Sequence, residues 1–226
     1  MRFLMLLSLF ALSFSGFSQD AYHTNLVNYL KDNYNLVNPK YVLNNTEQTN
    51  ISSFNIYGNA SVSSSTTSGN VFSLSSKINV SSVGNNVWDA GYTTSSKTSV
   101  AQGDVLLYTF WAKKNSVPSE IVIFAEDNVT YAKELYPTLK LTDEWKRYFL
   151  PFKVTKAYAA GKMNIGLHLA SQIQNFDIAG LTVLNFGSTY NILQFPSSLG
   201  EYEGYEADAP WRAEATARIE NNRKAN

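Results

Sequence analysis

The sequence predicts an all-β protein, an antiparallel β-sandwich of jelly-roll type that ends in a helix. Three features of its 226 residues predict this fold. Apolar residues recur at alternate positions, turn-forming Gly, Asn and Asp separate these stretches, and strands do not alternate with long helices. Parallel sheets need helical crossovers, whereas short alternating strands joined by turns are typical of two packed antiparallel sheets.

The strands are clearest in the second half of the chain. Val105 to Ala112 follows the turn residues Gly103-Asp104, and both of its faces are apolar, which is typical of a central strand. Turn residues also separate four later stretches of similar pattern. These predicted strands are Ile121 to Glu126, Trp145 to Val154, Met163 to Ala170 and Asn175 to Phe186.

A Ser-, Thr- and Asn-rich stretch, 41–100, precedes them and has the composition of a disordered linker. Apolar residues nevertheless return there at alternate positions, as they do in strands with one solvent-exposed face. The alternating pairs are Phe54 with Ile56, Phe72 with Leu74, and Ile78 with Val80. We therefore predict that a single sandwich domain covers 41–196.

The beginning of the chain has the pattern of a signal peptide. Arg2 supplies a positive charge, and the apolar run from Phe3 to Phe14 is too short to span a bilayer. Small residues near the end of 1–18 predict cleavage before Gln19. We therefore expect a secreted protein, extracellular or periplasmic.

Two further segments flank the predicted sandwich. A polar lead-in covers 19–40, with apolar residues at helical spacing that predict a short helix ended by Pro39. At the other end, 197–226 predicts a linker and a helix whose first turn contains Pro210.

The overall charge and composition exclude several classes of partner. Eighteen basic residues balance eighteen acidic ones, so a polyanion such as nucleic acid is not expected as a ligand. The apolar run at the N-terminus is not repeated, so we expect no membrane-spanning segment. The chain has no Cys, so its stability must come from the core rather than from disulfides. We expect a monomer that binds a neutral ligand.

No catalytic motif is recognisable in the sequence. Its two histidines, His23 and His168, stand far apart, and it has no phosphate-binding loop or serine nucleophile motif. The acidic pairs Glu126-Asp127 and Asp143-Glu144 lie in predicted turns, where carboxylates are normally solvated. A glycosidase needs carboxylates that face each other across a cleft, so we expect no catalysis.

Aromatic and polar residues on predicted strands indicate a binding function instead. Aromatic rings and planar hydrogen-bonding side chains are the groups with which proteins bind sugars. His168 belongs to the polar face of its strand and is either simply exposed or directed at a ligand. Trp88 and Tyr92 share a face by alternation, although Trp88 fits a core position equally well. Trp111 is either covered by the N-terminal segment or lines a binding trough. Gln174 lies in a predicted loop, where it is suited to binding hydroxyl groups.

Three segments resemble carbohydrate-binding modules of families 4, 9 and 22. They are VLLYTFWAK from Val105, LTDEWKRYFLPF from Leu141, and IGLHLASQIQNFDIAGLTVLNFG from Ile165. The tail EYEGYEADAPWRAEATARIENNRKAN resembles the linker helix that joins such modules to family-ten glycoside hydrolases, the endo-xylanases. The similarity covers roughly 85–226 and is not specific over 20–84.

The resemblance implies a galactose-binding-like jelly roll whose ligand is xylan or a related β-glucan. It places Trp88, His168 and Gln174 at cleft-side positions of the family. Tyr92 is added because it shares a face with Trp88, and Trp111 as a ring that can line the cleft. Some members of these families hold a structural calcium ion, but no calcium ligands are identifiable in this sequence, and no other cofactor is implied.

Three functions remain open from the sequence. The first is non-catalytic binding of a plant cell-wall polysaccharide. The second is the N-terminal fragment of a secreted endo-1,4-β-xylanase, because the family's catalytic barrel would follow the linker helix. The third is a β-sandwich that mediates protein adhesion.

Overall fold

The computed structural model describes residues 20–115 and 117–198. The predicted signal peptide and the helix predicted from Pro210 lie outside these residues. The described chain contains two α-helices, α1 (Ala21–Tyr34) and α2 (Glu47–Ser53), and two short 3-10 turns, Val87–Asp89 and Ile192–Gln194. Its strands are β1 (Lys40–Tyr41), β2 (Asn55–Tyr57), β3 (Ala60–Thr66), β4 (Leu74–Val80), β5 (Gly91–Ser95), β6 (Val105–Lys114), β7 (Glu120–Asp127), β8 (Lys133–Leu135), β9 (Thr138–Lys140), β10 (Lys146–Lys153), β11 (Met163–His168) and β12 (Gln174–Asn185).

The strands form two antiparallel sheets, and this confirms the predicted sandwich. The first sheet has the order β10-β6-β12-β4-β3, with β1 paired to β12. The second sheet has the order β2-β5-β11-β7-β8, with β9 also paired to β7. Neighbouring strands are mostly distant in sequence, as in jelly rolls, whose long connections cross between the sheets.

Side-chain alternation builds the core between the sheets. Tyr108 and Phe110 of β6, Phe176 of β12, and Ile165 and Leu167 of β11 are all fully buried. Successive residues of a strand point to opposite faces, so these positions alternate with residues on the outer faces. The predicted strands of this region are therefore present, with ends that differ by a few residues.

The lead-in helix is longer than the sequence predicts and packs on the first sheet. Leu26 and Leu30 of α1 are buried, and the hydroxyl of Tyr22 donates to the carbonyl of Gly180 in β12 at 2.7 Å. The helix ends at Asn35, in the left-handed conformation, well before Pro39, because Asn tolerates positive φ as a C-cap. The first sheet is thereby covered on its outer face.

No helix within 20–115 and 117–198 is long and apolar enough to cross a membrane. In the same residues, no group of three or more His, Asp or Glu side chains is placed to hold a metal ion. The calcium that the resemblance allows therefore has no such ligand set in this part of the chain.

Candidate functional site: a cleft on the second sheet

A cleft of about 590 Å³ lies on the outer face of the second sheet, opposite the core. Strands β5, β7 and β11 supply its floor, and the segments before β5 and after β7 supply parts of its walls. The residues that line it are Tyr57, Trp88, Thr93, Phe124, Glu126, Tyr131, Lys133, Asn164 and His168.

Alternation along β11 directs two polar residues into the cleft. Asn164 and His168 line it, while Ile165 and Leu167 between them are buried in the core. Gly166 lies between the two polar positions, and a side chain there would collide with the ring of Phe124 and the backbone of β5. Glycine at 166 therefore allows Phe124 to lie across the floor.

The imidazole of His168 is 5% exposed. It stacks on Phe124 and meets Tyr136 edge-on, with 5.8 Å between the latter ring centroids. Neither ring nitrogen has a hydrogen-bond partner among the described residues. Burial, helped by the charge of Lys133, lowers the pKa of His168 to about 4, so the ring is neutral at pH 7. The cleft floor thus contains a neutral imidazole whose two buried nitrogens have no partner among the described residues.

An ion pair between Glu126 and Lys133 completes the polar part of the floor. The ammonium group of Lys133 also lies 4.7 Å from the ring centroid of Tyr136 and 5.8 Å from that of Phe124. Burial raises the pKa of Glu126, and the hydrogen bond from Lys133 opposes this shift. Glu126 is the one carboxylate among the described cleft-lining residues, whereas the usual glycosidase mechanisms use two.

Three exposed aromatic rings border this floor: Trp88, 55% exposed, Tyr131, 63% exposed, and Tyr57, 38% exposed. Trp88 lies in the 3-10 turn, where the backbone N–H of Asn86 donates to Asp89 at 2.9 Å. Large exposed rings beside polar groups are unusual for a purely structural surface, since burying such rings is favourable.

Tyr57 closes the cleft at the end of β2. Its ring lies over Gly91, where any side chain would overlap it. Burial, followed by the charge of Glu126, raises the pKa of Tyr57, so the phenol stays protonated and able to donate a hydrogen bond. Tyr57 therefore faces the same polar floor as Glu126.

The structure brings together two of the five residues selected from the sequence. Trp88 and His168 line the same cleft, although eighty positions separate them. Tyr92 does not line the cleft: it is 3% exposed and stacks on Phe54 in the core, with 4.8 Å between the ring centroids. The shared face with Trp88 does not exist, because residues 87–89 form a 3-10 turn and the strand begins only at Gly91.

Gln174 and Trp111 do not line the cleft either, and Trp111 lies on the face covered by the N-terminal segment, one of the two alternatives open from the sequence. Gln174 is fully buried at the start of β12, where it donates to Leu169 O at 2.7 Å and accepts from the backbone N–H of Glu120 at 3.0 Å. It therefore satisfies backbone groups rather than a ligand.

Trp111 lies on the first sheet, 5.7 Å from the guanidinium group of Arg147. That group also lies on Tyr29 of α1, so this face is the covered one.

Sequence reasoning missed most of the cleft. Asn164 and Phe124 were recoverable, because alternation places each on the outer face of its strand. The pairing of Glu126 with Lys133 depends on strand register between β7 and β8, which the sequence does not display. Tyr131 lies in a loop, where no periodicity indicates the direction of a side chain.

Fold and site together define a β-sandwich with an open, aromatic-bordered cleft on one sheet. No family model and no curated protein sequence matches the chain. Among solved structures, a family 4 carbohydrate-binding module is similar, with 16% identity and a TM-score of 0.48. The match covers 58% of this chain and 86% of that one.

Two further similar structures contain family 22 modules. The family 22 xylan-binding domain of Xyn10C from Paenibacillus barcinonensis is 12% identical, with a TM-score of 0.43, over 59% of this chain and 85% of that one. The family 22 and family-ten modules of Clostridium thermocellum xylanase 10B, complexed with xylohexaose, are 15% identical, with a TM-score of 0.45. That match covers 65% of this chain and 28% of the other.

Proposed function

We propose that the cleft binds a neutral segment of a plant cell-wall polysaccharide, xylan or a β-glucan, without hydrolysing it. The observation that carries the proposal is the exposure of Trp88, Tyr57 and Tyr131 around one polar floor. Sugar rings present flat C–H faces that pack on aromatic rings, and their hydroxyl groups need donors and acceptors beside those rings.

The floor supplies both kinds of hydrogen-bonding group. The neutral imidazole of His168 can donate from one nitrogen and accept at the other, and the amide of Asn164 also does both. Glu126 and Lys133 neutralise each other, which suits an uncharged ligand. A polysaccharide can extend along an open cleft without having its ends enclosed.

We propose binding without hydrolysis because Glu126 is held in an ion pair. This carboxylate is paired with Lys133, and no second carboxylate lines the cleft among the described residues. Neither a nucleophile nor a base for water therefore stands opposite an acid, as glycoside hydrolysis usually requires. Xylan is favoured over β-glucans by the sequence resemblance of the tail to xylanase linkers. Secretion, which the signal-like N-terminus favours, would bring the protein to such a ligand.

The proposal is tested by affinity electrophoresis in gels containing xylan, mixed-linkage β-glucan or hydroxyethylcellulose, with a polysaccharide-free gel as the reference. We expect retardation in at least one gel, and titration calorimetry with xylohexaose and cellohexaose then ranks the sugars. Unchanged mobility in every gel, together with no heat from either hexasaccharide, would refute the proposed function. Retention by xylan alone would select it over the glucans.

A further inference from the structure

Tyr131 has a backbone conformation that is uncommon for its residue type. Its φ is 57°, in the left-handed region that Gly, Asn and Asp populate most readily. Its side chain is nevertheless largely exposed and borders the cleft. Strain of this kind persists only where surrounding contacts maintain it, and such residues are concentrated at functional sites.

The carboxylate of Asp127 maintains the conformation of the loop that carries Tyr131. Its Oδ1 atom accepts hydrogen bonds from the backbone N–H groups of Val129 at 2.8 Å and Thr130 at 2.7 Å. The carbonyl oxygen of Asp127 accepts a third bond, from the N–H of Tyr131 at 3.0 Å. Three successive donors of the loop are therefore satisfied by one residue at its start.

Lys156 holds the other oxygen of that carboxylate. Its Nζ lies 2.6 Å from Asp127 Oδ2, and this bond, with the loop N–H groups, holds the pKa of Asp127 well below its usual range. The segment around Lys156 is itself anchored by the buried Glu134. The Glu134 carboxylate accepts from Thr155 N–H at 2.8 Å, Thr155 Oγ1 at 2.7 Å and the Tyr158 hydroxyl at 2.7 Å.

We propose that Asp127 and Lys156 are positioning residues that set the ring of Tyr131 as a wall of the cleft before a ligand arrives. The inference rests on the proposed function and adds to it a residue that contacts sugar and the device that orients it. A loop whose backbone is already fixed loses less conformational freedom on binding, so orientation of the loop by Asp127 increases affinity. The strained backbone is retained because it directs this ring.

The first test separates stability from binding at Tyr131 itself. Tyr131→Asn places a residue that tolerates positive φ at the strained position and removes the ring. We expect a melting temperature equal to or above that of the wild type, with affinity for the retaining polysaccharide about tenfold lower. A residue with only a structural role would not give this combination. Wild-type affinity in this variant would overturn the inference.

The second test is a double-mutant cycle. Asp127→Ala should weaken binding several-fold by itself and have no further effect in the Tyr131→Asn background. The reason is that the clamp formed by Asp127 and Lys156 acts through the Tyr131 ring. Asp127→Asn, which keeps an oxygen acceptor, should restore part of the loss. Asp143→Asn is the matched control, since Asp143 pairs with Lys114 at 3.3 Å away from the cleft and should leave affinity unchanged. Equal losses in both backgrounds would overturn the positioning role.

A measurement without ligand tests the clamp independently. Amide hydrogen exchange at Val129, Thr130 and Tyr131 should accelerate in Asp127→Ala and in Lys156→Gln, while amides of β11 keep their protection. If the wild type binds no glycan, the proposed function fails together with the sugar contact assigned to Tyr131. If the wild type binds and exchange is unchanged in both variants, only the clamp is refuted.

Discussion

The imidazole of His168 lies flat on the ring of Phe124, with 4.2 Å between the ring centroids and 20° between the planes. This stack joins two adjacent strands of the second sheet, β11 and β7, on the face opposite the core. Burial in this stack keeps the imidazole neutral. The two stacked rings form the part of the cleft floor that lies between the hydrophobic core and the exposed rings.

The first prediction concerns Trp88. Because its ring is more than half exposed, Trp88→Ala should leave the fold intact and weaken polysaccharide binding about tenfold, the loss expected for one aromatic stacking contact. Affinity electrophoresis measures the binding, and circular dichroism checks the fold. Val83→Ala, at another exposed apolar residue before β5, is the control. A folded Trp88→Ala protein that binds at wild-type strength would remove Trp88 from the site.

The second prediction distinguishes Tyr92 from the cleft residues. Tyr92→Ala empties part of the core, and truncation of a buried aromatic ring typically costs about 3–5 kcal/mol of unfolding free energy. Urea denaturation followed by tryptophan fluorescence measures that loss. Tyr57→Ala, at a partly exposed ring of the cleft, should cost much less. Equal destabilisation by the two variants would contradict the division between core and cleft.

The third prediction concerns the pH dependence of stability. The folded-state pKa of His168, about 4, lies below its ordinary 6.5, so the stability it contributes is complete above pH 6.5 and is lost as the pH falls toward 4. Between about pH 7 and pH 4.5, the wild type should lose about 2 kcal/mol more unfolding free energy than His168→Phe. Urea denaturation at both pH values measures the difference.

Comparison with His168→Phe is needed because other groups titrate over the same range. Burial lowers the pKa of His23, which acts in the same direction, and raises that of Glu126, which acts in the opposite direction. These contributions are common to both proteins. Parallel pH profiles for the wild type and the variant would show that His168 titrates normally in the folded protein.

The fourth prediction is the absence of hydrolysis. The purified chain should release no reducing sugar from xylan or β-glucan above a heat-inactivated sample, because the described cleft residues provide one ion-paired carboxylate. Release that persists through purification and disappears in Glu126→Gln would instead identify Glu126 as a catalytic acid or base.

Local patterns in the sequence were sufficient for the fold class and for part of the cleft floor. Turn residues around alternating stretches predicted β7, β10, β11 and β12, and an apolar run on both faces predicted β6 as a central strand. Alternation also placed His168 on the face away from Leu167. Such patterns are readable because they depend only on neighbours along the chain.

The tertiary structure decided which aromatic rings reach the ligand surface. Trp88 and Tyr92 separate because a 3-10 turn interrupts the alternation, and Trp111 is assigned to the covered sheet by packing against Arg147. Tyr131 borders the cleft because Asp127 and Lys156, which are distant in sequence, meet beside its loop. These contacts join residues that only strand order and register bring together. Periodicity in a sequence reports neighbours along the chain, so it does not predict that order.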